Sequence, residues 1–203
     1  MDRLIQLLES KGIRYATPQS PDYGDLRPGF IVDEETVPAV VVRPRSADDV
    51  AALVSCLAEN DLPFTVRGGG HDMFGRAQIH GGVTIDMRSI AHVHVDSNSQ
   101  TARVGGGVIS MDLLRQLQQH GVTTPHPVTP TVGLVGWAIH GGYGLLSSKY
   151  GLGVDQIVGA QVVDGQGRVR EADEAMLTAI RGAGGVVGVI VELTIRVYPV
   201  NQV

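Results

Sequence analysis

The chain has little of what several classes of protein require. One cysteine among 203 residues excludes an intramolecular disulfide framework and a multi-cysteine metal site. Only two lysines and a net charge of −5 disfavour nucleic acid as a partner, because phosphate binding requires a basic face. No apolar run approaches the roughly 18 residues of a membrane span, and the first residues do not resemble a signal peptide. We expect a cytoplasmic protein without a metal, a membrane or a nucleic acid as its partner.

Glycine is the residue in excess. The chain has 27 glycines, a share nearly twice the usual one of about 7%. Clusters of glycine between apolar runs indicate tight turns and close approach of main chains rather than disorder. The clusters lie at 68–70, 81–82, 105–107, 133–144, 151–153 and 182–188.

The N-terminal part predicts a small parallel sheet with helices. An apolar strand over 39–44 precedes a helix that Ser46 caps and that runs to about Asn60. A second strand runs into the glycine turn at 68–70, and a third is predicted over 82–90. Strand–helix–strand spacing of this kind is typical of a parallel α/β unit.

Beyond residue 90 the pattern predicts a mainly antiparallel sheet with helices. Residues 91–107 alternate polar and apolar residues, as a hairpin does, and Ser110 predicts the start of a helix. A second hairpin is predicted over 155–172, with an Asp-Gly turn at 164–165, and a long strand or strand pair ends the chain. The fold class is therefore α+β, with two subdomains at residues 1–90 and 91–203.

The first glycine cluster lies in TVRGGGHDMFG, from Thr65 to Gly75. A glycine turn that leaves a buried strand exposes consecutive N–H groups, which can bind phosphate, and Arg67 could supply a cation beside a pyrophosphate. The loop alone is equally consistent with a tight structural turn. A complete G-x-G-x-x-G that opens a helix is absent, and so is a G-x-x-x-x-G-K-[ST] loop.

The second cluster is TPTVGLVGWAIHGGYGLLSSKYGLGVDQIVGA, residues 129–160. A segment this rich in glycine makes a poor helix or strand, but it offers a main-chain surface for a flat ligand. Together, the two clusters predict a ligand with phosphates at one place and an extended planar body at another.

Five segments in this order resemble a known family. They are TVRGGGHDMFG, GGVTIDMRSI, ARVGGGVISMDLLRQL, PTVGLVGWAIHGGYGLLSSKYGLGVDQIVGAQVV and AIRGAGGVVGVIVELTIRVYP. The resemblance covers residues 35–200. It is to the FAD-binding (PCMH-type) domain of the vanillyl-alcohol-oxidase superfamily, in its berberine-bridge-enzyme-like (BBE-like) branch, which includes the bacterial 6-hydroxy-D-nicotine oxidase. It implies that FAD lies between the two subdomains.

The resemblance gives the histidine of the first motif a role. In the family, the glycines wrap the FAD pyrophosphate, and a neutral histidine attacks the flavin 8-methyl carbon in its quinone-methide tautomer. His71 holds that position. Thr129 stands where some relatives carry a second, cysteine tether, so a single covalent link is expected. Val132 matches a position near flavin C4a where a small residue tends to admit oxygen, which favours an oxidase over a dehydrogenase.

The resemblance also implies the remaining site residues. His140 and Tyr150 are the candidate catalytic side chains. Val186 and Val187 replace an Asn-Phe pair of the family, which places the usual binding of the adenosine end in question. The candidate FAD contacts are Arg67, Gly68, Gly69, Gly70, His71, Val132, Gly133, Gly136, Gly142, Gly144, Tyr150, Asp155, Val158, Val189 and Ile190.

The family places its active site between this domain and a substrate domain, which is absent from these residues. The first hypothesis is an FAD-dependent oxidoreductase that oxidises a small alcohol or amine by hydride transfer to flavin N5. Alternatives are a shortened enzyme for non-redox cyclisation or decarboxylation of a natural product, and a non-catalytic binding domain. An exposed flavin face would recruit a second copy or a partner chain.

Overall fold

The computed structural model describes residues 1–31, 34–98 and 100–200. Short 3₁₀ turns lie at Met87–Ser89, Val154–Gln156 and Gly184–Val187. The helices are α1 (Asp2–Lys11), α2 (Tyr23–Leu26), α3 (Ala47–Glu59), α4 (Ser110–Gln119), α5 (Leu134–Ala138), α6 (Ser147–Tyr150) and α7 (Glu174–Ala183). The strands are β1 (Arg14–Ala16), β2 (Val40–Arg43), β3 (Phe64–Arg67), β4 (Val83–Asp86), β5 (Val93–Asp96), β6 (Thr101–Gly105), β7 (Val122–Thr123), β8 (Ile157–Val163), β9 (Val169–Glu171), β10 (Val189–Arg196) and β11 (Tyr198–Pro199).

The first sheet has the strand order β1-β2-β4-β3. Strands β2, β4 and β3 are parallel, as predicted, and β1 pairs with β2 in the antiparallel direction. The register pairs Arg67 with Asp86. Because parallel strands end at the same edge, these two charged residues and the glycine turn after Arg67 meet at one edge of the sheet.

Helix α3 confirms the predicted cap. The Ser46 side chain accepts a hydrogen bond from the N–H of Asp49 at 3.1 Å, and two aspartates lie in the first turn. The apolar face packs on the first sheet with α1, and each fully buried Val or Leu there contributes about 1.5–3 kcal/mol. The buried residues of α3 are Val50, Leu53, Val54 and Leu57.

The second sheet is antiparallel throughout, in the order β5-β6-β10-β8-β9. Strand β10 contributes to two cores, since Val189 and Val191 pack with the first sheet while Ile190 and Leu193 pack with α4, α5 and α7. Its register with β8 shifts between Ile190 and Glu192. This β-bulge adds one residue to β10 and shifts the alternation of its side chains, so that Ile190 and Leu193, three residues apart, face the same core. The α+β fold with a parallel and an antiparallel sheet is confirmed.

Several local predictions were wrong. Before residue 37, the short elements β1 and α2 were not predicted, and the glycine-rich segment 129–160, expected to make a poor helix or strand, contains α5 and α6. The Ser110 side chain donates to the carbonyl of Pro127 at 2.6 Å and does not cap α4. The hairpin between β8 and β9 has a longer turn than Asp-Gly alone, closed by Asp164, whose carboxylate accepts the N–H groups of Gln166 and Arg168.

Candidate cofactor site

The two glycine clusters meet, main chain against main chain. A Cβ atom on Gly69 would lie 2.5 Å from the Thr131 carbonyl oxygen, and one on Gly133 would lie 2.5 Å from the Gly69 nitrogen. Side-chain carbon atoms cannot approach so closely. Both positions must therefore be glycine unless the two segments separate. Part of the glycine requirement therefore comes from the protein's own packing.

The turn itself offers free donors. The N–H groups of Gly69, Gly70 and His71 donate to no acceptor among residues 1–31, 34–98 and 100–200. Gly70 has a φ of +73°, a conformation that side chains disfavour, and its carbonyl oxygen accepts the N–H of Phe30 at 3.1 Å. Consecutive unengaged N–H groups of this kind form an anion-binding concavity.

His71 follows the turn and is half-buried. Its Nε2 atom lies 2.9 Å from the Thr131 hydroxyl, and its ring stacks on Phe30 with centroids 3.9 Å apart and planes inclined by 12°. Burial lowers the pKa of His71 below its usual 6.5, against an opposing effect of hydrogen bonding to the Thr131 main chain. The ring is therefore neutral at neutral pH, as a nucleophile must be.

Arg67 corrects a prediction. Its side chain is fully buried, and its guanidinium donates to the Leu26 carbonyl at 2.5 Å, to the Arg27 carbonyl and to Asp86 at 3.2 Å. These carbonyls are at the C-terminal end of α2, where no N–H within the helix reaches them. The guanidinium therefore points into the protein, away from the anion-binding turn, and does not supply a cation for a pyrophosphate.

Asp86 gathers three arginines at the same sheet edge. Its carboxylate is fully buried and lies 2.6 Å from Arg43, 3.2 Å from Arg67 and 2.8 Å from Arg88. Burial would raise the pKa of Asp86, but the hydrogen bond from Arg88 and the charge of Arg67 outweigh it and bring the pKa to about 2. Burial lowers the pKa of Arg67; the charge of Asp86 opposes this shift, and the charges of Arg88 and Arg43 add to it.

The comparisons with known proteins agree with this geometry. Residues 38–173 match the family model of an FAD binding domain. The chain belongs to this family of FAD-binding domains. It is 38% identical over 165 residues to (R)-6-hydroxynicotine oxidase of Paenarthrobacter nicotinovorans, covering 79% of this chain and 36% of that protein. It is 40% identical over 193 residues to the FAD-linked oxidoreductase aurO of Gibberella zeae, covering 94% of this chain and 38% of that protein.

A solved structure places the FAD-binding domain in the BBE-like branch. The structure of BBE-like 1 from Physcomitrella patens is similar with a TM-score of 0.89 and 31% identity, over 96% of this chain and 44% of that one. The chain thus spans less than half the length of the relatives named here. Within the part that the structure describes, no helix has the length and apolarity to cross a membrane. In that same part, no group of three or more histidine, cysteine or acidic side chains could hold a metal ion.

The second glycine cluster of this FAD-binding domain folds around Trp137. The indole lies against Gly142 and Gly153, where Cβ atoms would collide with the ring, and its Nε1 donates to the Tyr143 carbonyl at 3.2 Å. Trp137 is therefore a packing residue. Gly144 lies against the His126 carbonyl in the same way, whereas a Cβ on Gly136 would meet open space.

The two candidate catalytic side chains lie against different elements. His140 is exposed, with Nδ1 2.8 Å from the Gly136 carbonyl, and faces Gly184 beyond α7. Tyr150 stacks on Tyr198 of β11 with centroids 3.9 Å apart. The catalytic role of His140 and Tyr150 stays a prediction.

Other predicted FAD contacts have structural partners of their own. The Asp155 carboxylate accepts the N–H of Leu152 at 2.8 Å, and the main chain of Val132 bonds with Thr129 and Ser110. Val189 and Ile190 bury their side chains in the two cores, so their main chains alone are available to a ligand; Val158 is half-buried on β8. These contacts remain predictions.

Sequence reasoning missed Phe30, Thr131 and Asp86. Phe30 is separated from His71 by 40 residues, and no local pattern links them. Thr131 was visible only as part of the Pro-Thr-Val-Gly motif. Asp86 gave a usable signal, since an acidic residue at the end of an apolar strand requires a partner when the strand is buried.

A depression on the surface lies elsewhere, between α1 and α3, where Arg3, Leu7 and Cys56 are among the lining residues. It is shallow, and its lining mixes polar side chains, such as Gln6 and Glu59, with apolar ones. The glycine turn and His71 form the better site because their donors and nucleophile converge.

Proposed function

We propose that this domain holds FAD at the turn 68–71 and along the segment 131–144, and that His71 tethers the flavin. The observation that carries the proposal is the row of N–H groups at Gly69, Gly70 and His71, which have no acceptor among the described residues, beside a neutral imidazole. Pyrophosphate oxygens accept hydrogen bonds from such a row. The glycines leave the main chain open to an approaching ligand.

His71 supplies the nucleophile for the tether. When Nε2–H donates to the Thr131 hydroxyl, the lone pair of the neutral ring lies on Nδ1. Attachment joins this nitrogen to the 8-methyl carbon of the flavin. Attachment would release one proton from the imidazole, one proton from the methyl group and two electrons; these would reduce the flavin, and dioxygen would then accept them as hydrogen peroxide. Thr129 provides no second nucleophile of cysteine type.

The reaction we propose is oxidation of a small alcohol or amine. FAD, when bound, supplies the redox chemistry by accepting a hydride at N5. The protein's part is to hold and orient the reactants: the His140 imidazole could accept the substrate proton, and the Tyr150 hydroxyl could hold the substrate hydroxyl or amine. Val132 and the similarity to a protein named as an oxidase favour dioxygen as the acceptor.

We also propose that another polypeptide surface covers the site. Apolar side chains flank both glycine segments, with Met73 and Phe74 each 84% exposed, Tyr143 82% and Leu145 75%. Exposed apolar clusters of this kind mark interaction surfaces. A second copy or a partner chain would bury them, and light scattering that shows only a 21.5 kDa species at high concentration would exclude self-association.

The decisive experiment is reconstitution with FAD followed by denaturation. Acid-precipitated wild-type protein should retain one FAD adduct on the peptide that contains His71, while His71→Ala should release all its flavin. His94→Ala, at an exposed histidine on β5, serves as the matched control and should behave as wild type. Absence of flavin absorbance with excess FAD, or an adduct on another residue, would contradict the assignment. Anaerobic bleaching of the flavin by a panel of alcohols and amines tests the oxidation.

A further inference from the structure

Two contacts hold the His71 ring from different sides. Phe30 covers one face at a centroid distance of 3.9 Å, nearly parallel, and the Thr131 hydroxyl meets the ring edge at Nε2 at 2.9 Å. The stack fixes the plane of the ring but not which edge faces Thr131, since a half-turn about the Cβ–Cγ bond restores the same stack. The hydrogen bond requires Nε2 at that edge, so it selects one of the two orientations.

The segment that carries Phe30 is itself fixed at two points. The buried Arg67 guanidinium binds the Leu26 and Arg27 carbonyls, and the Gly70 carbonyl accepts the N–H groups of Phe30 and Ile31 at 3.1 and 3.3 Å. Gly29 lies against Gly70, where a Cβ would be 3.0 Å from the Gly70 oxygen. The main chain on both sides of Phe30 is therefore bound to the strand and turn that carry His71.

This arrangement is not explained by core packing. Phe30 is 59% exposed, and burying more of the ring in a core would contribute more to stability than a solvent-facing stack. An exposed aromatic ring that covers a half-buried histidine serves to fix the plane of the histidine ring. Thr131, likewise, is exposed and bonds with the ring rather than with the main chain.

We propose that Phe30 and Thr131 are positioning residues that hold the His71 imidazole in the one orientation from which it attaches to the flavin. This rests on the proposed tether. With Nε2 bound to Thr131 and one face covered, Nδ1 and the opposite face are the parts of the ring that a ligand at the glycine turn can reach. The covalent step is the attachment described above, in which an imidazole nitrogen bonds to the 8-methyl carbon of the flavin and dioxygen is the final oxidant.

The test begins with flavin-free protein from a riboflavin auxotroph, so that the ring is observed before attachment. Phe30→Leu removes the stack but keeps an apolar side chain, and Phe30→Trp keeps an aromatic ring. Phe74→Leu is the matched control, because Phe74 is exposed, lies three residues from His71 and stacks beneath Arg76 instead. The ring protons of His71, observed by NMR, should move downfield in Phe30→Leu and stay in place in Phe74→Leu.

The second measurement is the rate at which the mass adduct appears after FAD is added. Misplacement of a reacting group commonly slows a reaction by about tenfold to a hundredfold, and we expect that range for Phe30→Leu and for Thr131→Val. Phe30→Trp and Phe74→Leu should attach at close to the wild-type rate. The initial, noncovalent affinity for FAD should not change in Phe30→Leu, which separates orientation from binding.

The outcomes are distinct. An unchanged attachment rate in Phe30→Leu, or His71 ring signals that do not move, would overturn the positioning role while leaving the tether intact. A wild-type protein that binds FAD but forms no adduct would overturn the tether and, with it, the role proposed for Phe30 and Thr131. An equal loss in Phe74→Leu would show that the effect is a general one of the loop and would also overturn it.

Discussion

Replacing Asp86 by asparagine removes the carboxylate that Arg43, Arg67 and Arg88 share. Arg43 and Arg88 are partly exposed, with 19% and 33% of their side-chain surface accessible, and can turn to water. Arg67 cannot, because its side chain is fully buried. Asp86→Asn thus leaves a buried cation without its counter-ion.

The expected cost is large. Removing one partner of a buried ion pair costs about 3–5 kcal/mol, and we expect the lower end because the Leu26 and Arg27 carbonyls remain bound to Arg67. A pKa of about 2 for Asp86, against an ordinary 3.8, corresponds to about 2.5 kcal/mol, which is of the same order. Against a total stability of about 5–15 kcal/mol, the variant should be markedly destabilised.

Urea unfolding at neutral pH, followed by circular dichroism, measures the effect. The matched control is Asp22→Asn, which breaks the exposed pair of Arg14 and Asp22 at 3.1 Å and should cost less than about 1 kcal/mol. A loss in Asp86→Asn no greater than that in Asp22→Asn would refute the reasoning. It would mean that Arg67 is adequately solvated without the carboxylate.

The pH dependence gives an independent check on Asp86. Because the pKa of Asp86 is lower in the folded than in the unfolded protein, its contribution to stability is present above pH about 4 and is lost as the pH falls through about 2. The difference in the free energy of unfolding between wild type and Asp86→Asn should therefore shrink over this range. A difference that stays constant would contradict the assignment of the low pKa to this carboxylate.

Three further outcomes are expected. The rate of flavin attachment, measured by mass spectrometry, should rise with pH to a plateau with a midpoint below 6.5. The reason is that the neutral ring reacts and that burial lowers the pKa of His71 below its usual 6.5. A midpoint above 6.5 would contradict this. Gly69→Ala should cost about 1–3 kcal/mol and weaken FAD binding, measured by flavin fluorescence. Gly165→Ala, in the turn between β8 and β9 with open space at Cβ, is the control and should do neither. Ser46→Ala should lower the free energy of unfolding in urea by about 1 kcal/mol, because the hydrogen bond from the Asp49 N–H is lost. Its FAD affinity should not change; an altered affinity would show that α3 and the site are coupled.

The elements that were predictable are those with strong local signals. Helix α3 has a serine cap, acidic residues in its first turn and an apolar face at helical spacing, and each of these favours the same structure. Strands β2 and β4 are short apolar runs rich in β-branched residues, which is typical of buried parallel strands. Such segments need no knowledge of distant parts of the chain.

The elements that were missed depend on distant partners. Strand β1 has three residues and exists because it pairs with β2, and α2 has four residues whose last carbonyls are bound by Arg67. The sequence placed Arg67 beside three glycines but could not show the direction of its side chain. Its pairing with Asp86 follows from the register of two parallel strands, which only the assembled sheet determines.

The interior orientation of Arg67 changes how the glycine turn has to work. A cation at the turn would have bound phosphate through charge, and glycine would have served only to clear space. Because the guanidinium binds Asp86 and the end of α2, the proposed binding of the FAD pyrophosphate depends on the main-chain donors of Gly69, Gly70 and His71. Such donors bind only if the turn is held open and rigid. The turn packs against Thr131 and Gly133 on one side and against Gly29 on the other, and this packing holds it in place. The buried arginine therefore contributes to the site through the geometry of the turn rather than through its charge.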